Sequence, residues 1–246
     1  MSSRFVNPAI AAVPPSAIRR FFDIAGTMKD VISLGVGEPD FVTPFAVRNT
    51  AIDSLLDGET QYTTNAGILP LREEIVHYLQ TRFEVSYVPD SEVLVTVGAS
   101  EAIDIALRVL VRPGDEVLIP EPCYISYQAC TRFALGVPVN VPTHAQNNFE
   151  LLPEDLEARI TPQSRVLVLS YPSNPTGAVM PGERLERIAE LAIRHDLFVV
   201  CDEIYAELCY DGFRQPSIAS LPGMRERTLL LGGFSKDYAM TGWRIG

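Results

Sequence analysis

The side chain best suited to covalent chemistry in this sequence is Lys236. It follows an apolar segment and lies within the C-terminal sequence GGFSKDYAMTGWRIG, which is rich in glycine and large apolar residues. Desolvation of a lysine favours its neutral amine, the form that Schiff-base formation with a carbonyl compound requires. A lone lysine is usually a solvated surface residue, so this interpretation depends on the apolar surroundings.

Asp202 is the second candidate, because it comes directly after the apolar run that ends at Cys201. A carboxylate at the end of a buried strand is costly unless it is paired or hydrogen-bonded, so it is a better site candidate than a surface acid. Tyr205 follows three residues later. The alternative is that Asp202 is an ordinary helix N-cap, and this segment alone does not decide between the two.

Two further segments place glycine, proline and small polar residues after apolar runs. Residues 96–101 have the sequence TVGASE; here a glycine lets the backbone approach a ligand, and the following helix presents N–H groups to an anion such as phosphate. Residues 170–177 have the sequence SYPSNPTG and fix the amide of Asn174 just beyond an apolar run. Both segments are also compatible with ordinary turns and strand-to-helix junctions.

Composition excludes several classes of function. The chain has 246 residues, of which 20 are Lys or Arg and 31 are Asp or Glu, so its formal charge is −11, and 47% of its residues are hydrophobic. Without clustered cations, a surface for nucleic acid or anionic membranes is disfavoured. Apolar runs are too short for a membrane span, and we expect no signal peptide. The four cysteines form no C-x-x-C pair, so we expect no metal site and expect free thiols in the cytoplasm.

Hydrophobic periodicity predicts alternating strands and helices from about residue 92 onward, which indicates an α/β fold with a mostly parallel sheet between helices. Such folds place ligands at the carboxyl ends of their strands, where the candidate residues lie. Helices are expected after residue 98, over 126–133 and over about 181–195. Six strands are predicted, over residues 92–97, 116–119, 137–141, 165–169, 197–201 and 228–231.

The sequence before residue 92 has a different pattern. Residues 1–44 are rich in proline and turn residues, contain one strand candidate over 31–36, and are interpreted as an N-terminal arm and small-domain segment. Residues 47–56 and 71–83 have helical periodicity, with a polar loop between them. We therefore divide the chain into the arm, 1–44, and a cofactor-binding large domain, 45–246.

Four segments together resemble the signatures of class I/II aminotransferases that use pyridoxal phosphate. Residues 235–244 are similar to the cofactor-attachment signature, and residues 37–40, 173–177 and 202–205 are similar to the others, in the same order. The resemblance extends from about residue 31 to 246 and favours the aspartate and aromatic aminotransferase branch. It implies fold type I, a three-layer α/β/α arrangement with a mostly parallel sheet.

The resemblance also implies roles for residues around the cofactor ring. Lys236 would hold pyridoxal phosphate as a Schiff base and then transfer protons as general base and acid. Asp202 would pair with the ring nitrogen and keep it protonated. Asn174 and Tyr205 would bond the phenolic oxygen, and Tyr124 would stack on the ring face.

Further roles concern the phosphate, the substrate and a second subunit. Ala99, Ser100 and Arg244 would hold the phosphate. Many relatives have a phosphate-binding serine where this chain has Gly233, so Ser235 is a candidate substitute. The resemblance implies that Gly37 and Asn174 contact the substrate. Tyr62 corresponds to a tyrosine that reaches the neighbouring subunit's phosphate site, which implies a homodimer.

The leading hypothesis is an aminotransferase that moves an amino group between an L-amino acid and a 2-oxo acid. Family members continue past the Gly-Trp-Arg segment with another strand and a domain that carries an arginine for the substrate carboxylate, so we expect a C-terminally truncated member. One alternative is a lyase or synthase of the same fold. Another is a non-catalytic remnant or an incomplete gene model, because the loss of a strand would leave backbone groups unpaired.

Overall fold

A computed structural model describes residues 3–14, 21, 24, 27–32 and 37–246 of the chain. The strand expected over residues 31–36 lies outside the described residues at positions 33–36, so it stays a prediction. Its first two residues, Val31 and Ile32, are exposed and have no regular structure.

A parallel sheet of five strands forms the centre of the described structure. The strands are β1 (Glu116–Glu121), β2 (Val137–Pro142), β3 (Ser164–Ser170), β4 (Phe198–Asp202) and β5 (Thr228–Leu231), and their order across the sheet is β2-β1-β3-β4-β5. Every neighbouring pair is parallel. The continuous apolar run in β3 is buried from Val166 to Leu169, as expected for a strand covered on both faces.

Helices connect the strands and cover the sheet. Those with described bounds are α1 (Pro8–Ala11), α2 (Phe45–Leu56), α3 (Leu69–Phe83), α4 (Ala99–Leu110), α5 (Ser126–Phe133), α6 (Pro153–Glu157) and α7 (Gly182–Arg194). The helices predicted over 47–56, 71–83, 126–133 and 181–195 are thus confirmed within a few residues. No helix in the described ranges is long and apolar enough to cross a membrane.

Alternate residues of the strands point to two separate cores. On one face, Val117 and Ile119 of β1 pack with Ile103 of α4 and Tyr127 of α5. On the other face, Leu118 of the same strand packs in a core that includes residues of α6 and α7. This period-two alternation produces the three layers, α/β/α, that the sequence predicted.

The predicted strand over residues 92–97 is wrong. This segment makes isolated backbone contacts instead of a ladder: the Val95 N–H donates to the Ala66 carbonyl at 3.0 Å, and Thr96 exchanges hydrogen bonds with Gly246 at 2.7 and 3.0 Å. A cavity of about 470 Å³ lies between Val93, Leu94 and β5. An apolar run alone therefore does not make a strand, which also needs a neighbour paired along its length.

Candidate active site

The carboxyl ends of three adjacent strands bring the candidate loops together. Ser170 at the end of β3 pairs in register with Asp202 at the end of β4, and Asp202 pairs with Leu231 at the end of β5. The segments that carry Asn174, Tyr205 and Lys236 therefore leave the sheet side by side. This is the edge at which α/β folds bind ligands.

Asp202 is a buried carboxylate, with only 3% of its surface exposed. Its Oδ2 accepts a hydrogen bond from the Tyr127 hydroxyl at 2.7 Å, and its Oδ1 accepts one from the Ile204 N–H at 3.2 Å. Burial raises the pKa of Asp202, and these two hydrogen bonds oppose the rise. A turn, not a helix, follows this residue, so the N-cap alternative is wrong. Among the described residues, no salt bridge includes Asp202.

Lys236 is partly buried on the segment that follows β5, the strand beside the one that ends at Asp202. Its Nζ donates a hydrogen bond to the Gly37 carbonyl and lies 5.9 Å from the centre of the Tyr205 ring. Burial lowers the pKa of Lys236; the charge of Arg244 lowers it further, while that of Glu38 opposes the shift. The neutral amine is therefore more accessible than for a lysine in water.

Asn174, Lys236 and Tyr124 all lie near the side chain of Tyr205. Asn174 Nδ2 lies 3.5 Å from the Tyr205 hydroxyl, a long hydrogen bond between segments 31 residues apart. The pKa of Tyr205 is raised mainly by burial, although the Asn174 contact lowers it. Tyr124 makes an edge-to-face contact with Tyr127, with ring centres 5.6 Å apart. The structure thus brings together the residues expected around a cofactor ring.

The residues expected at a phosphate meet at the start of α4. Ala99 and Ser100 are its first two residues, and Gly98 before them has φ +80°. A Cβ atom on Gly98 would overlap the Arg244 guanidinium, so this cation lies directly on the backbone at the helix N-terminus. A guanidinium beside a helix N-terminus is a suitable site for a phosphate.

The segment before Lys236 explains a departure from the family signature. A Cβ atom on Gly233 would lie 2.8 Å from Ile204 Cδ1 and 3.2 Å from the Ile245 carbonyl oxygen. A serine there would therefore require the Ile204 side chain to shift. Ser235 is buried immediately before the lysine. Tyr62 lies apart from this group and is fully exposed.

Sequence reasoning missed Tyr127 and Glu38 as neighbours of the site. Tyr127 was expected only as part of a helix, yet its hydroxyl reaches Asp202. A signal was available, because Tyr127 follows Tyr124 by three residues, a spacing that puts both on one side of a helical turn. Glu38 approaches Lys236 from 198 positions earlier in the chain. It lies in the signature-like segment 37–40, but no local pattern shows which distant residue it meets.

Residues 29–246 match the family model described as aminotransferase class I and II. The chain belongs to this family. The putative aminotransferase YugH of Bacillus subtilis is 54% identical over 98% of this chain and 62% of its own length. The aromatic-amino-acid aminotransferase 2 of Thermococcus litoralis is 44% identical, again over 98% of this chain and 62% of its own length.

Solved structures, an aminotransferase among them, have the same fold. The aspartate aminotransferase from Rhizobium meliloti superposes with a TM-score of 0.93 at 38% identity, over 98% of this chain and 62% of that one. A Pyrococcus protein, A1, superposes with a TM-score of 0.95 at 45% identity, over 97% of this chain and 61% of that one. The class I and II aminotransferase chain described here therefore has fold type I and spans about 62% of the length of the curated relatives it matches.

Proposed function

We propose that this chain supplies the cofactor-binding part of an aminotransferase that uses pyridoxal phosphate to move an amino group between an L-amino acid and a 2-oxo acid. The observation that carries the proposal is the position of Lys236, whose pKa is lowered by burial, on the segment that follows β5, next to the strand β4 that ends at the buried carboxylate of Asp202. A second support is the Arg244 guanidinium at the start of α4.

The residues present fit pyridoxal phosphate at three points. Asp202 is a buried carboxylate that lacks an ion pair among the described residues, and a protonated ring nitrogen is a cation that would compensate its burial. Arg244 and the N–H groups of Ala99 and Ser100 offer a phosphate site, with Ser235 as a further hydroxyl. Lys236 offers an amine whose neutral form is more accessible than that of a lysine in water.

Each side chain then has a defined task. Bound pyridoxal phosphate supplies an electron sink for the electron pair left when the Cα–H bond of the amino acid breaks. Lys236 Nζ would hold the cofactor through its aldehyde and, once free again, would accept the Cα proton and return it. Asp202 would hold the proton on the ring nitrogen, Asn174 and Tyr205 would bond the phenolic oxygen, and Tyr124 would cover the ring. Gly37 and Asn174 would contact the substrate.

A transfer assay with isotope tests this proposal. The 246-residue chain is incubated with pyridoxal phosphate, a ¹⁵N-labelled amino acid and an unlabelled 2-oxo acid, with Lys236→Arg as control. We expect very weak transfer of ¹⁵N to the new amino acid with the unmodified chain and none with Lys236→Arg. Because relatives are named for aspartate and for aromatic amino acids, both donors are compared. Elimination products without labelled transfer would contradict the proposal and favour the lyase alternative.

We also propose that the chain acts as a homodimer. Helix α2 has no buried residue and exposes the apolar side chains of Phe45, Ile52, Leu55 and Leu56. Tyr62 is fully exposed beyond this helix, as a residue destined for a partner's phosphate site would be. Sedimentation with and without pyridoxal phosphate tests this: a dimer is expected, and a cofactor-bound monomer would contradict it.

Two further parts of the proposal concern organisation and compartment. Residues 1–44 would form the arm beside the large domain 45–246, supported by the bond from the Thr43 hydroxyl to the Ala239 carbonyl at 2.6 Å.

All four cysteines are free, and two of them, Cys130 and Cys201, are buried. Free thiols suit a reducing compartment, so we place the protein in the cytoplasm.

A further inference from the structure

We propose that Tyr127 is a positioning residue that holds the Asp202 carboxylate in one orientation and in its charged form for the ring nitrogen of the cofactor. This inference rests on the proposed function and adds a residue to it. In this role Tyr127 would act on the cofactor through Asp202 and would not contact the reacting atoms directly.

The geometry around Tyr127 leaves its hydroxyl little freedom. The side chain is 2% exposed on α5, and its hydroxyl donates to Asp202 Oδ2 at 2.7 Å. The edge-to-face contact with Tyr124 fixes the ring from one side. The Thr131 hydroxyl bonds the Tyr127 carbonyl at 2.8 Å, which anchors its backbone within the helix. A rigidly placed donor therefore meets the carboxylate.

The charges around Tyr127 determine which group donates in this hydrogen bond. Burial raises the pKa of Tyr127 well above its ordinary value, and the charge of Asp202 raises it further, while the Ser170 hydroxyl opposes the shift. The phenol therefore stays protonated and donates. A hydrogen bond to an ionised acceptor is stronger than one between neutral groups, so it favours the charged carboxylate. Within the described part of the chain, this bond and the Ile204 N–H oppose the burial of that charge.

The charge state of Asp202 affects whether the ring nitrogen of the cofactor keeps its proton. A carboxylate that is held charged keeps a proton on a bonded nitrogen, whereas one that becomes neutral does not. Loss of the Tyr127 hydroxyl should therefore weaken recognition of the ring nitrogen specifically. A general loss of packing would instead weaken every cofactor contact equally.

The test compares the binding of two compounds by the 246-residue chain: pyridoxal phosphate and its analogue with carbon in place of the ring nitrogen. The measured quantity is the ratio of their dissociation constants, determined by equilibrium dialysis at several pH values. We expect the unmodified chain to prefer pyridoxal phosphate. Tyr127→Phe should reduce this preference about tenfold, the scale of one hydrogen bond to a charged group. A ratio measured on the same material does not depend on how much of the variant is folded.

Tyr78→Phe is the matched control. The Tyr78 hydroxyl donates to Glu207 Oε1 at the same distance, 2.7 Å, but that carboxylate is not at the proposed ring site. This variant should keep the preference. Combining Tyr127→Phe with Asp202→Asn should add little to Asp202→Asn alone, because the two residues act as one unit.

The outcomes separate the two proposals. If the unmodified chain prefers pyridoxal phosphate and Tyr127→Phe keeps that preference, the inference about Tyr127 is overturned while the proposed function stands. An equal loss in Tyr78→Phe also overturns it. If the unmodified chain binds neither compound, both the proposed function and the inference fail.

Discussion

At the scale of single residues, burial moves the two main candidate groups in opposite directions. Burial raises the pKa of Asp202 and lowers the pKa of Lys236, so each charged form is less stable than it would be in water. For Lys236 the neutral amine is the form that reacts with an aldehyde. For Asp202 the raised pKa means that the charged carboxylate is destabilised. A cation beside it would lower the pKa again, because an adjacent positive charge stabilises the charged form of a carboxyl group.

Glu203, the neighbour of Asp202, has the clearest pH dependence. Burial raises the pKa of Glu203 to about 7, while hydrogen bonds from Ser217 and Cys201 lower it. The folded state then binds more protons than the unfolded state between the ordinary carboxyl pKa and about 7. The contribution of Glu203 to stability is therefore full below the ordinary carboxyl pKa and is lost as the pH rises through about 7.

Glu203→Gln tests whether Glu203 makes the folded state less stable as the pH rises. The variant should raise the free energy of unfolding at pH 8 by at most about 3 kcal/mol, from about 1.4 kcal/mol for each pKa unit, and should change it little at pH 4. Urea denaturation at both pH values measures the difference. Glu190→Gln is the control, since Glu190 is exposed on α7. A variant that is less stable than the unmodified chain at pH 8 would contradict the assignment.

At the scale of elements, the strand-to-helix junction before α4 is the part most sensitive to a small change. Gly98 combines a positive φ with the close approach of Arg244. Gly98→Ala should lower stability by about 1–3 kcal/mol through backbone strain and should also displace the guanidinium. We expect weaker binding of pyridoxal phosphate but unchanged binding of pyridoxal, which lacks the phosphate.

Gly114→Ala is the control for this experiment. Gly114 has φ +89° but open space where a Cβ atom would lie, so alanine there adds strain away from the site. Thermal melts and dialysis with both compounds distinguish the variants. Equal affinity of Gly98→Ala and the unmodified chain for pyridoxal phosphate would show that this junction is not the phosphate site.

Sequence predicted the elements best where one residue pattern was enough. The buried run in β3 and the helix α7 were identified because apolar runs and helical periodicity are local signals. Residues 92–97 have the same apolar character as β3, yet no described segment pairs with them along their length. Strand pairing depends on distant segments, so periodicity could not reveal this.

At the scale of the whole molecule, no strand among the described residues pairs with the outer edge of β5. The outer edge of β5 faces the cavity of about 470 Å³, which is lined by apolar residues including Leu71, Ile75 and Leu229. Exposed apolar surface and an unpaired strand edge both favour association with other molecules. We therefore expect the 246-residue chain to bind an apolar fluorescent dye and to aggregate at moderate concentration.

Leu229→Lys tests the role of this edge of β5. Leu229 is 40% exposed on β5 and lines the cavity, so a charge there should reduce dye fluorescence and light scattering. Val109→Lys is the matched control, because Val109 is 77% exposed on α4 and does not line the cavity. Equal effects of the two variants would contradict the assignment of dye binding to this cavity.

The candidate site was predictable as a set of motifs but not as a set of contacts. Lys236, Asp202 and Asn174 were identified from short segments that resemble family signatures, and the structure places them at adjacent strand ends. Tyr127 belongs to no such signature. Glu38 belongs to the segment 37–40 but was given no role there, and only folding brings the two residues to the site. Long-range proximity was therefore the missing information.

The most direct test of the proposed function is to identify the lysine that carries the cofactor. The chain contains two lysines, Lys236 and the exposed Lys29, so it includes its own control. Pyridoxal phosphate is added at limiting concentration, the adduct is reduced with borohydride, and the modified peptide is identified by mass spectrometry. We expect modification of Lys236 and none of Lys29. Modification of Lys29 alone, or equal modification of both lysines in folded protein, would contradict the central claim.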